Sequence, residues 1–249
     1  MFSVAKGRKH IAIKVYPELD STNREAKAQA MAGEPHGTVI LAERQTAGKG
    51  RNNKRFFSPP GSGLYMSIIL DSDKLGFKNI TAITAYAALC VCETIENVCN
   101  LKPEIKWVND IFLNGKKICG ILTEAITGFE NTHQIILGIG INITTKTKDF
   151  PKSLQSIAGS IYPNGESSVT RDFLVAELMN RILYEEKPNE KQLFEKYKKR
   201  LFMLNTTVTV IEGNDEFAAK VLDINQCGHL LIKTEKDEIK KLVSGEIKV

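Results

Sequence analysis

The stretch QTAGKGRNNKRFFSPPGSGLYMS, Gln45 to Ser67, sets four glycines and the cations Lys49, Arg51, Lys54 and Arg55 between two apolar, strand-like runs, Thr38 to Glu43 and Leu64 to Leu70. Glycine lets backbone N–H groups approach oxygens closely, through conformations with φ > 0 that a β-carbon disfavours. Cations on the same loop can follow a phosphate through a reaction. Read alone, the stretch is an anion cradle or an ordinary basic surface loop, and the rest of the chain has to decide.

Further on, IKWVNDIFLNGKKICGILTEA, Ile105 to Ala125, reads as two strands joined by a tight turn at Asn114-Gly115, where both residues tolerate φ > 0. Trp107-Val108-Asn109-Asp110 breaks the alternation that packing alone would produce. Taken alone, Asn109-Asp110 is equally a bend held by side-chain to backbone bonds. Around this hairpin, His10 to Tyr16 alternates like a strand, and Thr22 with Glu25 makes a capping-box start for a helix reaching about Ala32. Apolar residues at helical spacing predict a helix from about Asn79 to Val98, and Gln134 to Ile143 reads as a strand. Lys146 to Ser168 reads as a loop with a short helix near Leu154, and helices follow near 170–186 and 189–203. From Thr206 onward, short β runs separated by tight turns suggest a small barrel, with the domain boundary near Asn205.

At 249 residues and 42% hydrophobic content, the chain can bury the core of one large domain and one small one. A net charge of +5 suits acidic partners without being a nucleic-acid signature. The five cysteines form no Cys-x-x-Cys pair and have no adjacent histidine, which argues against a disulfide framework or a zinc site; Cys90 and Cys92 read as core. No apolar run reaches eighteen residues and no signal sequence opens the chain, so the expectation is a cytoplasmic protein with no membrane partner.

Four segments together carry a resemblance. Asp20-Ser21-Thr22-Asn23, Gln45-Thr46-Ala47-Gly48-Lys49-Gly50-Arg51, Lys106-Trp107-Val108-Asn109-Asp110 with Lys117-Ile118-Cys119-Gly120, and Gly138-Ile139-Gly140-Ile141-Asn142 stand in the order found in biotin protein ligases. The chain resembles that family over nearly its whole length, including a C-terminal Ser244-Gly245-Glu246-Ile247. The resemblance implies an α+β fold: a mixed β-sheet packed by helices, of the class II synthetase-like biotin/lipoate ligase type, over residues 1–204. An SH3-like β-barrel over 205–249 completes it. It implies activation of biotin by ATP to biotinyl-5'-AMP, then transfer to a lysine of a biotin carboxyl carrier domain of a biotin-dependent carboxylase.

By the matching of motifs, Ser21, Thr22, Asn23, Gln45, Gly48, Lys49, Gly50, Arg51, Lys117 and Gly120 would bind biotin. Arg51, Lys54, Phe56, Lys106, Trp107, Asn109, Lys117 and Asn142 would bind ATP or the adenylate, although Trp107 alone reads better as core or support. Arg51 and Lys117 would act on the joined carboxylate and phosphate, and Asp110 would orient or deprotonate the acceptor lysine or contact Mg²⁺, the expected metal. For Ser21 and Thr22 the competing reading is helix capping; for Gly138 and Gly140 it is close backbone packing. The glycine-rich loop is expected to order only around its ligand.

The chain departs from the family pattern at four places. Val108 stands where proline is usual, Lys49 where arginine is common, and Asn52-Asn53-Lys54 where Arg-Gly-Arg is frequent; Phe56 takes the place of a tryptophan. Some members carry an N-terminal DNA-binding domain; a first strand near residue 10 leads us to expect none here and no DNA partner. The family includes monomers and homodimers, and no feature of the sequence decides between them. Two other readings remain: a lipoate ligase or octanoyl transferase of the related fold, and a non-enzymatic nucleic-acid-binding module with salt-sensitive binding.

Overall fold

Strand β3 (Gly63–Asp71) is buried on both faces along almost its whole length, because it lies inside a seven-stranded sheet with helices on either side. The computed structural model describes residues 11–77, 79–126 and 134–248. The other elements of the large unit are β1 (Ile13–Tyr16), α1 (Thr22–Met31), β2 (Val39–Ala42), α2 (Ser72–Leu75), α3 (Ile80–Cys99), β4 (Glu104–Lys106), β5 (Asp110–Leu113), β6 (Lys116–Ala125), β7 (Gln134–Asn142), α4 (Arg171–Tyr184) and α5 (Glu190–Lys198). The sheet order is β1-β2-β3-β7-β6-β5-β4, with β1 parallel to β2 and every other pair antiparallel. His10, the expected start of the first strand, lies outside the described residues.

The strand period of two sorts side chains between the faces. Leu64, Met66, Ile68 and Leu70 of β3, with Ile135, Leu137, Ile139 and Ile141 of β7, join α3, α4 and α5 in the main core. Ile69 of β3 and Ile136 of β7 face the other way, against Ala26 and Ala30 of α1. By length and composition α3 is apolar enough to cross a membrane, yet 72% of its apolar window is buried inside the protein, so it is the core helix of this layer. Asn79 caps it, its Oδ1 accepting from Ala82 N at 2.8 Å.

Asn114 and Gly115 take φ of 51° and 72°, the conformation a type I′ hairpin turn requires. Ahead of this hairpin stands a strand that the sequence reading did not find: β4 pairs antiparallel with β5, so Trp107-Val108-Asn109 is itself a turn, with a cis Trp107–Val108 peptide. The capping box expected at Thr22 and Glu25 is absent. Ser21 is the N-cap residue and makes no side-chain cap, the Thr22 hydroxyl turns to Gln45, and Glu25 accepts from Gln29 Nε2 at 2.6 Å. Near Leu154 the chain forms turns rather than a helix, with a short 3₁₀ turn at Thr147–Asp149.

The C-terminal unit comprises β8 (Thr207–Glu212), β9 (Asp215–Ile224), β10 (Leu230–Thr234), β11 (Ile239–Leu242) and β12 (Glu246–Lys248) in one antiparallel sheet ordered β11-β10-β9-β8-β12. It is consistent with an SH3-like fold. Among the described residues no pairing of β11 with β12 closes it into the expected barrel.

Candidate active site

On the α1 face of the sheet the side chains thin out where three strands meet. Gly140 of β7 pairs with Gly120 of β6 on one side and Tyr65 of β3 on the other, and Gly138 pairs with Leu122 and Ser67. These glycines make a floor whose emptiness is used. A Cβ at Gly138 would stand 1.9 Å from Asn23 Oδ1, and one at Gly140 would stand 2.6 Å from the Phe56 ring. Phe56 also lies against Gly120 and meets Tyr65 edge-on, with ring centroids 6.4 Å apart.

Beside this floor, the start of α1 and the loop after β2 build a buried polar cluster. Thr22 donates to Gln45 Oε1 from its backbone N at 2.8 Å and from its hydroxyl at 3.1 Å, which turns the Gln45 amino group to Ser58 Oγ at 2.8 Å. Ser67 Oγ lies 2.8 Å from Thr22 Oγ1 and 2.6 Å from Asn23 Oδ1. The Ser21 hydroxyl is buried and without a partner, and so is Asn142 Oδ1 at the end of β7, whose amide donates to Gly159 O at 2.9 Å. Buried polar atoms are normally satisfied, so each of these two oxygens keeps an unused capacity for a hydrogen bond.

The loop over the site is a closed hairpin. Lys49 bridges to Arg55 across a 3₁₀ turn at Arg51–Asn53, with Phe56 N donating to Gly48 O at 2.9 Å and Gly50 N to Lys54 O at 2.7 Å. A Cβ on Gly48 would come within 2.6 Å of Phe56 O, so that position has no room for a side chain. Asn53 takes φ 58° where the family pattern often has glycine, and asparagine is among the few residues that tolerate it. With α3 and β6 the loop walls a cleft of about 540 Å³ that carries Arg24, Lys49, Arg51, Lys54 and Arg55 against the single carboxylate of Glu124.

The structure brings the expected catalytic groups to the adjoining turn. Arg51 donates to Asn109 Oδ1 at 3.2 Å, and Asn109 Nδ2 to Ile121 O at 2.9 Å. Lys117 and Asp110 pair at 2.6 Å, on facing strands. The Lys117 backbone is clamped by Ile157 O and Gly159 N, both at 2.9 Å. Half-buried Lys106 has its amine pushed down by desolvation, an effect opposed by Asp110. Lys54 reaches across to Glu246 of the C-terminal unit, and this contact holds the Glu246 carboxyl below its ordinary value. Buried Cys119 has its thiol pushed well up by desolvation, so it packs rather than attacks.

Trp107 is 4% exposed, and its indole donates to Gly228 O at 2.8 Å, toward the C-terminal unit. Ser58, Ser67, Glu124 and Glu246 were missed. Ser67 and Glu124 left a signal, being polar residues inside apolar strand runs. Glu246 stands in the Ser244-Gly245-Glu246-Ile247 run of the resemblance but was not read as a site residue, and Ser58 left no signal.

A model of the biotin/lipoate A/B protein ligase family matches residues 15–142, and one of the biotin protein ligase C-terminal domain matches residues 203–249. The chain belongs to the biotin protein ligase family. Within that family it is 32% identical to the bifunctional ligase/repressor BirA of Bacillus subtilis over 240 residues, covering 93% of this chain and 72% of that one. It is 26% identical to the biotin–[acetyl-CoA-carboxylase] ligase of Mycobacterium tuberculosis, covering 88% and 82%. Among solved structures, the Aquifex aeolicus biotin protein ligase in complex with biotin and ATP superposes with a TM-score of 0.80 at 27% identity, covering 95% of this chain and 97% of that one.

Proposed function

We propose that this biotin protein ligase activates biotin with ATP in the cleft between the glycine floor and the basic loop, and transfers it to a lysine of a biotin carboxyl carrier domain in the cytoplasm. One observation carries the site assignment: Lys49, Arg51, Lys54 and Arg55 of the loop line one cleft, and beside that loop Phe56 and Asn23 cover a floor of Gly120, Gly138 and Gly140, with the unpartnered Ser21 hydroxyl at the start of the same helix as Asn23. A compact polar head on an apolar ligand needs such a floor, and the joining of two anions needs fixed cations.

In the first step a biotin carboxylate oxygen attacks the α-phosphorus of ATP and pyrophosphate leaves. Arg51 and Lys117 offset the repulsion of the two anions. In the second, the neutral lysine amine attacks the mixed-anhydride carbonyl, loses a proton and expels AMP. Asp110, held by Lys117 before substrate arrives, is released toward that amine when Lys117 turns to the phosphoryl oxygen. Among the described residues no three His, Cys, Asp or Glu converge on one point. Mg²⁺ would be carried by the nucleotide phosphates, where it supplies charge neutralisation, with Asp110 and Glu124 as the nearby carboxylates. We assign residues 1–204 to the catalytic unit and 205–249 to the C-terminal unit.

The test is biotin-dependent exchange of labelled pyrophosphate into ATP by the purified chain, with lipoate and octanoate as controls. Exchange with biotin alone is expected, falling on the order of 100- to 1,000-fold in Arg51→Met. Exchange with lipoate alone would move the protein to the sister activity, and no exchange would turn attention to nucleic-acid binding. Asp110→Ala is expected to spare exchange and slow transfer to the carrier; equal loss of both steps would remove Asp110 from the second step.

A further inference from the structure

Glu124 acts on no reacting atom in the two steps above, yet it touches both halves of the site. It lies near the end of β6, where its Oε2 accepts from Asn23 Nδ2 at 2.7 Å and its Oε1 stands 3.6 Å from Lys49 Nζ of the glycine-rich loop. An ionised carboxylate only accepts hydrogen bonds. The Asn23 amide therefore has one admissible orientation, with its nitrogen toward Glu124 and its oxygen over Gly138 toward Ser67, 2.6 Å away. Inverting it would set two oxygens against each other at bonding distance, in a side chain that is 4% exposed.

The hydrogens can then be counted along the cluster. The Thr22 hydroxyl gives its hydrogen to Gln45 Oε1, which the Thr22 N–H also occupies. Gln45 directs its amino group to Ser58. Ser67 has a single hydrogen and two acceptors within reach, Thr22 Oγ1 and Asn23 Oδ1. The cluster is one donor short, and beside it the Ser21 hydroxyl is a donor with no acceptor. A cyclic urea presents the complement: N–H groups for the acceptors and a carbonyl for Ser21. A dithiolane ring or an alkyl chain brings no N–H and would leave an acceptor desolvated.

We infer that Glu124 is the specificity-positioning residue of this site, holding the Asn23 carbonyl toward a ureido N–H and tying that recognition to the glycine-rich loop through Lys49. The inference rests on the biotin ligase reading. It makes the selectivity for a urea head depend on a residue placed to touch Asn23 and Lys49 rather than the ligand.

The test uses pyrophosphate exchange by the full chain, with separate KM values for biotin and ATP and a melting temperature for each variant. Asn23→Asp sets two carboxylates in contact and should raise the biotin KM about 10- to 100-fold, with the ATP KM within about twofold. In the pair Asn23→Asp with Glu124→Gln the donor and acceptor exchange sides: the amide introduced on β6 donates to the carboxylate introduced on α1, whose other oxygen still faces Ser67. That pair should return the biotin KM to within about threefold of wild type. A pair no better than Asn23→Asp alone would overturn the inference, as would biotin and ATP KM values rising together. Glu124→Gln alone, a change of one atom, should raise the biotin KM about 3- to 10-fold, and an unchanged value would also overturn it. Absence of biotin-dependent exchange in the wild type would instead overturn the ligase reading, and this inference with it.

Discussion

Ser21 occupies the N-cap position of α1 with an extended backbone, yet its hydroxyl gives nothing to the helix and is 1% exposed with no partner. Losing a serine that caps a helix costs about 1 kcal/mol. With no cap to lose, Ser21→Ala should leave the melting temperature within about 1 °C. Biotin binding, followed by calorimetry, should weaken about tenfold as one buried hydrogen bond to the ligand disappears. A lower melting temperature with unchanged affinity would return Ser21 to the helix. At this scale the sequence was legible for the motif residues and illegible for their partners. Ser21, Thr22, Asn23 and Gln45 stand in recognisable runs, whereas Ser58 is bound to the site by one bond from Gln45 that leaves no local pattern.

The helices and long strands were legible for a related reason, since α3 and β7 repeat their apolar residues over enough length for periodicity to speak. β4, three residues long, has no period to read and exists only because β5 pairs with it, which turned an expected two-stranded hairpin into three strands and fixed Asn109 in a turn. Caps divide in the same way. Asn79 opens α3 with a bond to Ala82 N, whereas the expected box on α1 lost Thr22 to Gln45, a residue from another segment. Asn79→Ala should therefore destabilise the chain by about 1 kcal/mol, seen as a melting temperature lower by about 2–4 °C, with KM values for biotin and ATP unchanged. A change in either KM without a thermal shift would mean that the start of α3 serves the cleft it borders.

The large-scale ties are ionic pairs and hydrogen bonds between distant segments. Glu96 of α3 receives both arms of Arg200, at 2.6 and 2.7 Å, and Glu43 is paired with Arg171. These guanidinium bonds hold both carboxyls below the ordinary 4.5. The unfolded chain then takes up protons at a higher pH than the folded one, so their stabilisation is complete above 4.5 and is lost as the pH falls below it. Burial also pushes His36 and His229 down, which starts a shallower loss below 6.5. The melting temperature should be flat above about pH 7, slope gently down through 6 and drop steeply below about 4.5. Arg200→Met should soften the steep limb alone, and an unaltered limb would remove the Glu96 pair from this account.

The tie that matters most to function runs through Trp107. Its indole donates to Gly228 O at 2.8 Å, and a Cβ at Gly228 would meet Thr81 of α3 at 2.6 Å and Phe194 of α5 at 2.7 Å. The β9–β10 turn is thus seated between the catalytic helices and the turn that carries Asn109 and Asp110. Lys198–Asp223 at 2.7 Å and Lys54–Glu246 fasten the same two units. The resemblance placed Trp107 among the adenylate contacts; the geometry makes it the post on which the C-terminal unit rests. Trp107→Phe keeps most of the ring and removes the donor, leaving the Gly228 carbonyl without its partner at a cost of about 1–3 kcal/mol. The ATP KM should stay within about twofold of wild type while the melting temperature falls, because the lost bond lies between the units and not against the nucleotide. An ATP KM raised more than about tenfold at an unchanged melting temperature would show the ring touching adenylate, and the C-terminal unit would then be held by its ion pairs.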